Sequence, residues 1–269
     1  MAQWLKTPPG RYLLAWEQAQ LDRAVADVFG FHAVQLGLPE LEGLRANRMP
    51  HRWIALDAQG EVVEADPAAE VPSDKPGPAR VAVVLRCDFD ALPFDTQSLD
   101  LVVMPHTLEL SRDPHLALGE VDRVLMPEGR VVIIGFNPTS LWGLRQRLGR
   151  LLRYIGIRRH APLFLPSAGE FLGYWRLRDW LRLLSFEVQG GRFGCYRPPL
   201  KTDAWLSRYE WTERIGERWW PVLGSVYSLV AVKRVRGMRL VGLVRQQRVS
   251  ASPATAAVSH RIHSSSDPS

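Results

Sequence analysis

Long apolar runs are missing from this chain of 269 residues, and it has only two cysteines. A helix that spans a bilayer needs roughly 18 consecutive apolar residues, and no stretch approaches that length. The first residues, MAQWLKTPPGRYLL, also lack the basic and apolar regions of a secretory signal. Cys87 and Cys195 are too few for a disulfide scaffold and have no metal-ligand spacing. We therefore expect a cytoplasmic protein with no transmembrane segment and no metal site.

Acidic residues are absent from two long stretches of the chain. Residues 139–169 contain six arginines and no Asp or Glu, and residues 218–266 again contain no Asp or Glu. Over the whole chain, 34 Lys and Arg residues against 28 Asp and Glu residues give a net charge of +6. This modest excess favours acidic partners without requiring them.

Short apolar runs recur along the chain and are typical of buried β-strands. Because they are apolar on both faces, they predict parallel strands covered by helices on both sides. Two further strands are predicted near the end, and the last of them runs antiparallel. The sequence thus predicts an α/β fold with an open, mainly parallel seven-stranded sheet. The seven predicted strands fall within residues 32–38, 51–57, 81–88, 99–105, 130–136, 187–199 and 224–235.

Helical periodicity appears before and between these runs. The clearest helix covers residues 113–125, where Asp113 can cap the first turn and Pro114 suits it. A leading helix, an arginine-rich helix over residues 140–156 and another over residues 174–186 are also predicted. We divide the chain into an N-terminal helical segment, a main domain containing a helical insertion or lid, and a disordered tail. Their ranges are 1–30, 31–248 with the insertion at 140–180, and 249–269.

Residues 92–136 resemble the second half of a class I S-adenosylmethionine-dependent methyltransferase of the type 11 family. Many matches in register over this segment make the signal specific, and the strand order extends the resemblance over residues 30–235. The matching pattern consists of Leu92-Pro93-Phe94, Ser98-Leu99-Asp100, His106-x-Leu108-Glu109, Asp113-Pro114, Arg123-Val124-Leu125 and Pro127-x-Gly129.

The resemblance implies a Rossmann-like fold, methyl transfer and S-adenosylmethionine as the cofactor. In open parallel sheets, ligands bind beyond the carboxyl ends of the strands, near the point where the strand order reverses. The first strand would supply a glycine loop, the second an acid for the ribose, the third an acid for the adenine amino group, and the fourth a floor beneath the methionine part. Asp57 could instead simply start a turn. The implied cofactor-binding residues are Gln35, Gly37, Asp57, Asp88, Phe89, Met104 and Pro105.

The glycine loop itself is degenerate. Relatives carry an acid followed by three spaced glycines, and here Gln35 replaces the acid while Gly37 matches the first glycine. Pro39 and Leu41 replace the other two, and they restrict the backbone angles and close approach that glycine permits. Two interpretations follow. The chain is an active methyltransferase with an altered loop, or it is an inactive binding or scaffolding module with the same fold.

His106 is the candidate catalytic base, because it follows the fourth strand, where a base could reach a substrate hydroxyl or amine. The alternative is a structural histidine bonded to backbone in a buried loop. Glu109 could neutralise this histidine or cap a helix. Methyl transfer can also proceed without a protein base when the reactants are well positioned.

The arginine-rich helix at residues 140–156 has two interpretations that can coexist. Its arginines could meet a nucleic acid, an anionic membrane surface or the acidic face of a partner. Its leucines could instead cover the site as a lid. Nothing in the sequence identifies the methyl acceptor.

Overall fold

The computed structural model describes residues 1–58, 83–156, 163–166 and 171–234. All of them lie in one compact unit, Met1–Val235. The predicted disordered tail at residues 249–269 lies outside the described residues. Seven strands form a single sheet in the order β3-β2-β1-β4-β5-β7-β6. They are β1 (His32–Leu36), β2 (His51–Asp57), β3 (Val83–Cys87), β4 (Leu99–Pro105), β5 (Leu125–Phe136), β6 (Phe186–Gly194) and β7 (Val226–Lys233).

The sheet is mainly parallel, as predicted. Strands β1 to β5 pair in parallel, and β7 lies antiparallel between β5 and β6. The strand order reverses at β1 and β4, since β1 leads outward to β2 and β3 while β4 leads to β5. The carboxyl ends of these two strands therefore flank the crevice in which ligands of such sheets bind.

Eight α-helices occur among the described residues. The predicted helix beginning near residue 113 is confirmed, since the Asp113 side chain accepts from the backbone amides of His115 and Leu116. The predicted leading helix is preceded by a separate short one. The helices are α1 (Ala2–Leu5), α2 (Pro8–Val25), α3 (Thr107–Leu110), α4 (Pro114–Val124), α5 (Leu141–Tyr154), α6 (Tyr174–Leu183), α7 (Asp203–Arg208) and α8 (Trp211–Trp219), and a 3₁₀ turn covers Pro221–Leu223.

Both faces of the sheet are covered by apolar side chains from helices. On one face, Val121 of α4 and Leu177 of α6 pack with strand residues such as Val102. On the other, Leu21 of α2 and Trp142 of α5 pack with a different set of strand side chains. These two cores confirm the prediction of helices on both sides of the sheet.

Two connections depart from the usual pattern of a parallel sheet. Residues 126–129, which precede the predicted fifth strand at residues 130–136, belong to β5 as a bulge. Leu99 pairs with Leu125 but Leu101 pairs with Arg130, so the extra residues of β5 leave the ladder. Residues 37–50, all described, join the parallel strands β1 and β2 through turns without a helix. Parallel strands usually need a crossover helix; here α2 packs on the side chains of this connection instead.

Candidate cofactor site

Three of the predicted cofactor residues line one small cleft at the carboxyl edge of the sheet. Asp57 ends β2, and Asp88 and Phe89 directly follow β3. Asp57 is the register partner of Cys87, which places the residues after both strands side by side. The other residues that line this cleft are Asp90, Ser111 and Arg112.

The cleft is rich in carboxylates. Burial together with the negative charges of Asp88 and Asp57 raises the pKa of the Cys87 thiol to about 11, which keeps that side chain neutral. Ionised carboxylates only accept hydrogen bonds. The cleft therefore suits a ligand that presents hydroxyl or amino donors, as the ribose and adenine of S-adenosylmethionine do.

Gly37 adjoins this cleft. Its φ of +77° lies in the left-handed region that favours glycine, and its backbone amide donates to the Ala55 carbonyl at 2.6 Å. A Cβ atom at this position would lie 3.5 Å from the Phe89 ring and 3.9 Å from Thr107 Oγ1. The backbone angle, more than space, therefore requires glycine here. Thr107 was not singled out from the sequence; its hydroxyl donates to the Leu36 carbonyl at 2.5 Å and holds the end of β1.

The Gln35 side chain organises the loop that follows β1. It is buried, and its Nε2 atom lies 3.1, 2.9 and 2.8 Å from the carbonyl oxygens of Gly37, Leu38 and Leu41. Its Oε1 atom accepts from the backbone amide of Gly43 at 2.8 Å. A carboxylate cannot donate to these carbonyls, so an acid at position 35 would not support this loop. Gln35 lies next to the predicted glycine loop, and its contacts are to backbone.

The loop does not follow a glycine-rich path beyond Gly37. Leu38 has a φ of +43°, and the Leu41 amide donates to the Leu38 carbonyl at 3.1 Å, which closes a turn over Pro39. The Leu41 side chain is buried in the core, whereas Pro39 is exposed. Pro39 is thus a turn residue and Leu41 an anchor of the loop.

Gly43 has a close-approach role that the sequence alone did not reveal. A Cβ atom there would lie 2.8 Å from Gln35 Oε1 and 3.1 Å from Val103 Cγ1. In the sequence, Gly43 stands two residues after Leu41, and so continues the two-residue spacing of Gly37, Pro39 and Leu41. That spacing was the available hint.

Met104 and Pro105 end β4 at the same edge of the sheet. Both are buried, and Met104 belongs to the core that α4 and α6 cover. Their predicted role as a floor beneath the methionine part of the cofactor stays a prediction.

His106 is fully buried between two carboxylates. Its Nδ1 atom lies 2.8 Å from Glu109 Oε2 and its Nε2 atom 2.7 Å from Glu17 Oε1. Burial alone would lower the pKa of this imidazole, but the charges and hydrogen bonds of Glu17 and Glu109 outweigh it and raise the pKa to about 10. His106 is therefore a cation at neutral pH. With both ring nitrogens engaged, neither is oriented to take a proton from a substrate in this arrangement.

Glu109 also holds the neighbouring strand, since the Phe136 amide donates to its Oε1 atom at 2.5 Å. Burial raises the pKa of Glu109 despite the opposing effect of His106. Glu17, from α2, was not singled out from the sequence. No local pattern signals it, because a glutamate in an amphipathic helix is normally exposed.

The leucines of α5 do not cover the site. Leu144, Leu148 and Leu151 are each more than half exposed, whereas Trp142 and Gln146 on the other side of the helix are buried. These leucines face solvent in this structure, and the role of the insertion as a lid stays a prediction. Helical periodicity predicted the leucine row, but the packing of Trp142 fixed which face turns inward.

Among the described residues, every helix is too short or too polar to cross a bilayer.

Known proteins support the interpretation of this fold. A family model described as a methyltransferase domain matches residues 41–133. The chain is 32% identical over 188 residues to the uncharacterized protein YafS of Escherichia coli, an alignment covering 69% of this chain and 65% of that protein. It is 30% identical over 200 residues to the ubiquinone/menaquinone biosynthesis C-methyltransferase UbiE of Xylella fastidiosa, covering 62% of this chain and 74% of that protein.

A solved structure shares the fold. The S-adenosylmethionine-dependent methyltransferase of Mesorhizobium loti superposes with a TM-score of 0.53 at 16% identity, covering 80% of this chain and 96% of that one. The sheet order and the cleft define the Rossmann-like class I methyltransferase fold. The chain belongs to the type 11 family of S-adenosylmethionine-dependent methyltransferases. These comparisons give no support to the inactive scaffolding alternative.

Proposed function

We propose that the chain binds S-adenosylmethionine in the cleft of Asp57, Asp88 and Phe89 and transfers its methyl group to an acceptor. The observation that carries this proposal is the meeting of these three residues, from the ends of two strands, in one cleft beside Gly37. Asp57 would accept from the ribose hydroxyls and Asp88 from the adenine amino group, with Phe89 against the ring. When bound, the cofactor supplies an electrophilic methyl group on a sulfonium.

The chain's own contribution would be positioning and exclusion of water. The engaged nitrogens of His106 argue against a role as general base and favour a structural role for the buried cation. A charged His106 would hold α2 and the end of β4 in fixed positions beside the cleft. The acceptor would then need a nucleophilic atom that reacts without help from a protein base.

The acceptor class to test first is an electron-rich aromatic ring. UbiE of Xylella fastidiosa is named as a C-methyltransferase of ubiquinone and menaquinone biosynthesis. Its alignment with this chain covers 62% of the chain. Carbon nucleophiles of such rings attack without a protein base, and the ring carbon would then lose its proton to water, which agrees with a site whose buried histidine is already engaged.

Calorimetric titration of the full chain with S-adenosylmethionine and S-adenosylhomocysteine tests the proposal. We expect both to bind, with the degenerate loop limiting affinity to micromolar or weaker. Release of S-adenosylhomocysteine with a phenolic or quinol acceptor would then establish turnover. Absence of binding by either compound to the folded chain would overturn the proposed cofactor site.

A further inference from the structure

Helix α5 presents a continuous aliphatic stripe to solvent. Its members are 51–61% exposed and follow one another at intervals of three and four residues. At 3.6 residues per turn, such positions fall within an arc of about 80° on one side of the helix. They are Leu141, Leu144, Leu148, Leu151 and, just past the helix end, Ile155, and we refer to them as the leucine stripe.

The opposite side of α5 is anchored, so the helix cannot rotate to bury the leucine stripe. Trp142 is buried and its indole N–H donates to the Arg197 carbonyl at 2.7 Å. The Gln146 side chain accepts from the Leu165 amide at 3.0 Å and donates to the Leu165 carbonyl at 3.2 Å. A Cβ atom on Gly143 would lie 2.6 Å from the Pro138 carbonyl oxygen, which shows how closely this face packs.

Positive charge borders the stripe on both sides. Arg145 and Arg147 are exposed, and the helical period places one on each side of the stripe, about 80° from its centre. Arg145 lies over the Phe164 ring and donates to the Pro199 carbonyl. No Asp or Glu occurs between residues 139 and 169 to offset these charges. Aliphatic side chains bordered by arginines are typical of helices that lie in the headgroup region of a bilayer.

We propose that the leucine stripe of α5 docks on an anionic membrane surface. Its leucines would enter the boundary between headgroups and acyl chains, while Arg145 and Arg147 would pair with lipid phosphates. A nucleic acid would pair with the arginines but leave the aliphatic side chains in water. A second copy of the chain, packed stripe to stripe, would bring the flanking arginines of both copies together.

The position of α5 links this surface to the cofactor cleft. The helix starts at Leu141, shortly after β5 ends at Phe136, so its first turn lies at the carboxyl edge of the sheet. Docking through α5 would bring that edge near the bilayer. The docking proposal does not depend on methyl transfer, because it rests on the exposure and charge of α5 alone.

Vesicle flotation of the full chain tests the proposal. The vesicles are phosphatidylcholine with or without phosphatidylglycerol, at low and high salt. We expect the wild type to float with the anionic vesicles at low salt and much less with neutral ones. Replacing Leu144, Leu148 and Leu151 together by Ser should lower the partition coefficient about tenfold or more, since each loses an aliphatic side chain from the interface. Arg145→Glu with Arg147→Glu should lower it at least about tenfold.

A matched control replaces exposed leucines elsewhere. Leu183, 83% exposed on α6, and Leu116, 56% exposed on α4, lie outside the stripe, and their joint replacement by Ser should leave flotation unchanged. Thermal midpoints of the leucine variants should stay near that of the wild type, because the substituted leucines are more than half exposed. Arg145→Glu also loses the contacts with Phe164 and Pro199, so Arg147→Glu alone should reduce flotation without changing the midpoint. Failure of the wild type to float at low salt would overturn the proposal. The proposal would also be overturned if single-stranded RNA bound through the arginines while the leucine substitutions left vesicle binding unchanged.

Discussion

Glu17 Oε1 and His106 Nε2 lie 2.7 Å apart, both side chains fully buried, although 89 residues separate them in the sequence. This contact ties α2, before the sheet, to the end of β4 beside the cofactor cleft. Glu109 completes the arrangement on the other ring nitrogen. Each carboxylate accepts a hydrogen bond from the buried imidazolium, so removing one carboxylate leaves a buried ring N–H with a weaker, neutral acceptor.

Glu17→Gln should destabilise the fold and flatten its pH dependence. The folded-state pKa of His106 is raised to about 10 from an ordinary value of 6.5. The folded state therefore binds the proton more tightly. This stabilisation is fully present below pH 6.5 and is lost as the pH rises through about 10. The variant should lose about 1–3 kcal/mol of stability at pH 7, the scale for a hydrogen bond to a charged group. Its free energy of unfolding should change less than that of the wild type over the same pH window.

Urea unfolding at a series of pH values measures both effects. Glu42→Gln is the matched control, since Glu42 is an exposed glutamate on the loop after β1, and it should behave as the wild type does. A Glu17→Gln variant whose stability declines with pH as steeply as the wild type would show that this glutamate does not raise the pKa of His106.

Asp88→Asn should weaken binding of S-adenosylmethionine. If Asp88 accepts from the adenine amino group, loss of its charge should cost about 1–3 kcal/mol, the scale for a hydrogen bond to a charged group. Asp57→Asn should give a smaller loss if the ribose is partly solvated. Asp27→Asn serves as the control, because Asp27 is exposed and precedes β1 at the opposite edge of the sheet. Calorimetry that found equal affinity for folded Asp88→Asn and wild type would remove Asp88 from the site.

The sheet could be predicted because its signals are local. Apolar runs, a capping Asp113 before Pro114 and the turn residues between elements are each read from a few neighbouring positions. The positions of Asp57 and Asp88 followed from the same strand ends, and the structure brings them to one cleft.

Contacts between distant segments could not be predicted in this way. The bonds from the Gln35 amide to loop carbonyls depend on the path of a loop without a helix, and the pairing of Glu17 with His106 depends on where α2 packs. For α5, the period located the leucine row correctly. Its orientation was decided by Trp142 on the opposite face, and a tryptophan beside Gly143 was the available hint.

Gln35→Glu should disrupt the loop after β1 even though it restores the acid that relatives carry. A buried carboxylate at this position would face the carbonyl oxygens that Nε2 now contacts, leaving them without a donor. We expect a loss of about 3 kcal/mol or more in the free energy of unfolding. Gln189→Glu, an exposed change of the same kind on β6, should cost little. A stable Gln35→Glu protein with tighter cofactor binding would contradict this account.

Restoring the family's glycines should reduce stability without improving cofactor binding. The Leu41 side chain is buried in the core, so Leu41→Gly should cost about 2–5 kcal/mol, as for other large-to-small core changes. Pro39 is an exposed turn residue, and Pro39→Gly should cost only about 0.5–1 kcal/mol through the entropy of the unfolded chain.

A loop that followed the family's path under strain would give the opposite result. Pro39→Gly and Leu41→Gly would then relieve the strain and tighten S-adenosylmethionine binding. The turn closed by the Leu41 amide on the Leu38 carbonyl favours the reshaped path. Thermal midpoints and calorimetric titration of the two single variants distinguish these cases. Leu44→Ala, another buried leucine of the same connection, is the control for loss of packing alone. If Pro39→Gly bound the cofactor more tightly than the wild type, the loop would be strained, and its missing glycines would limit affinity directly.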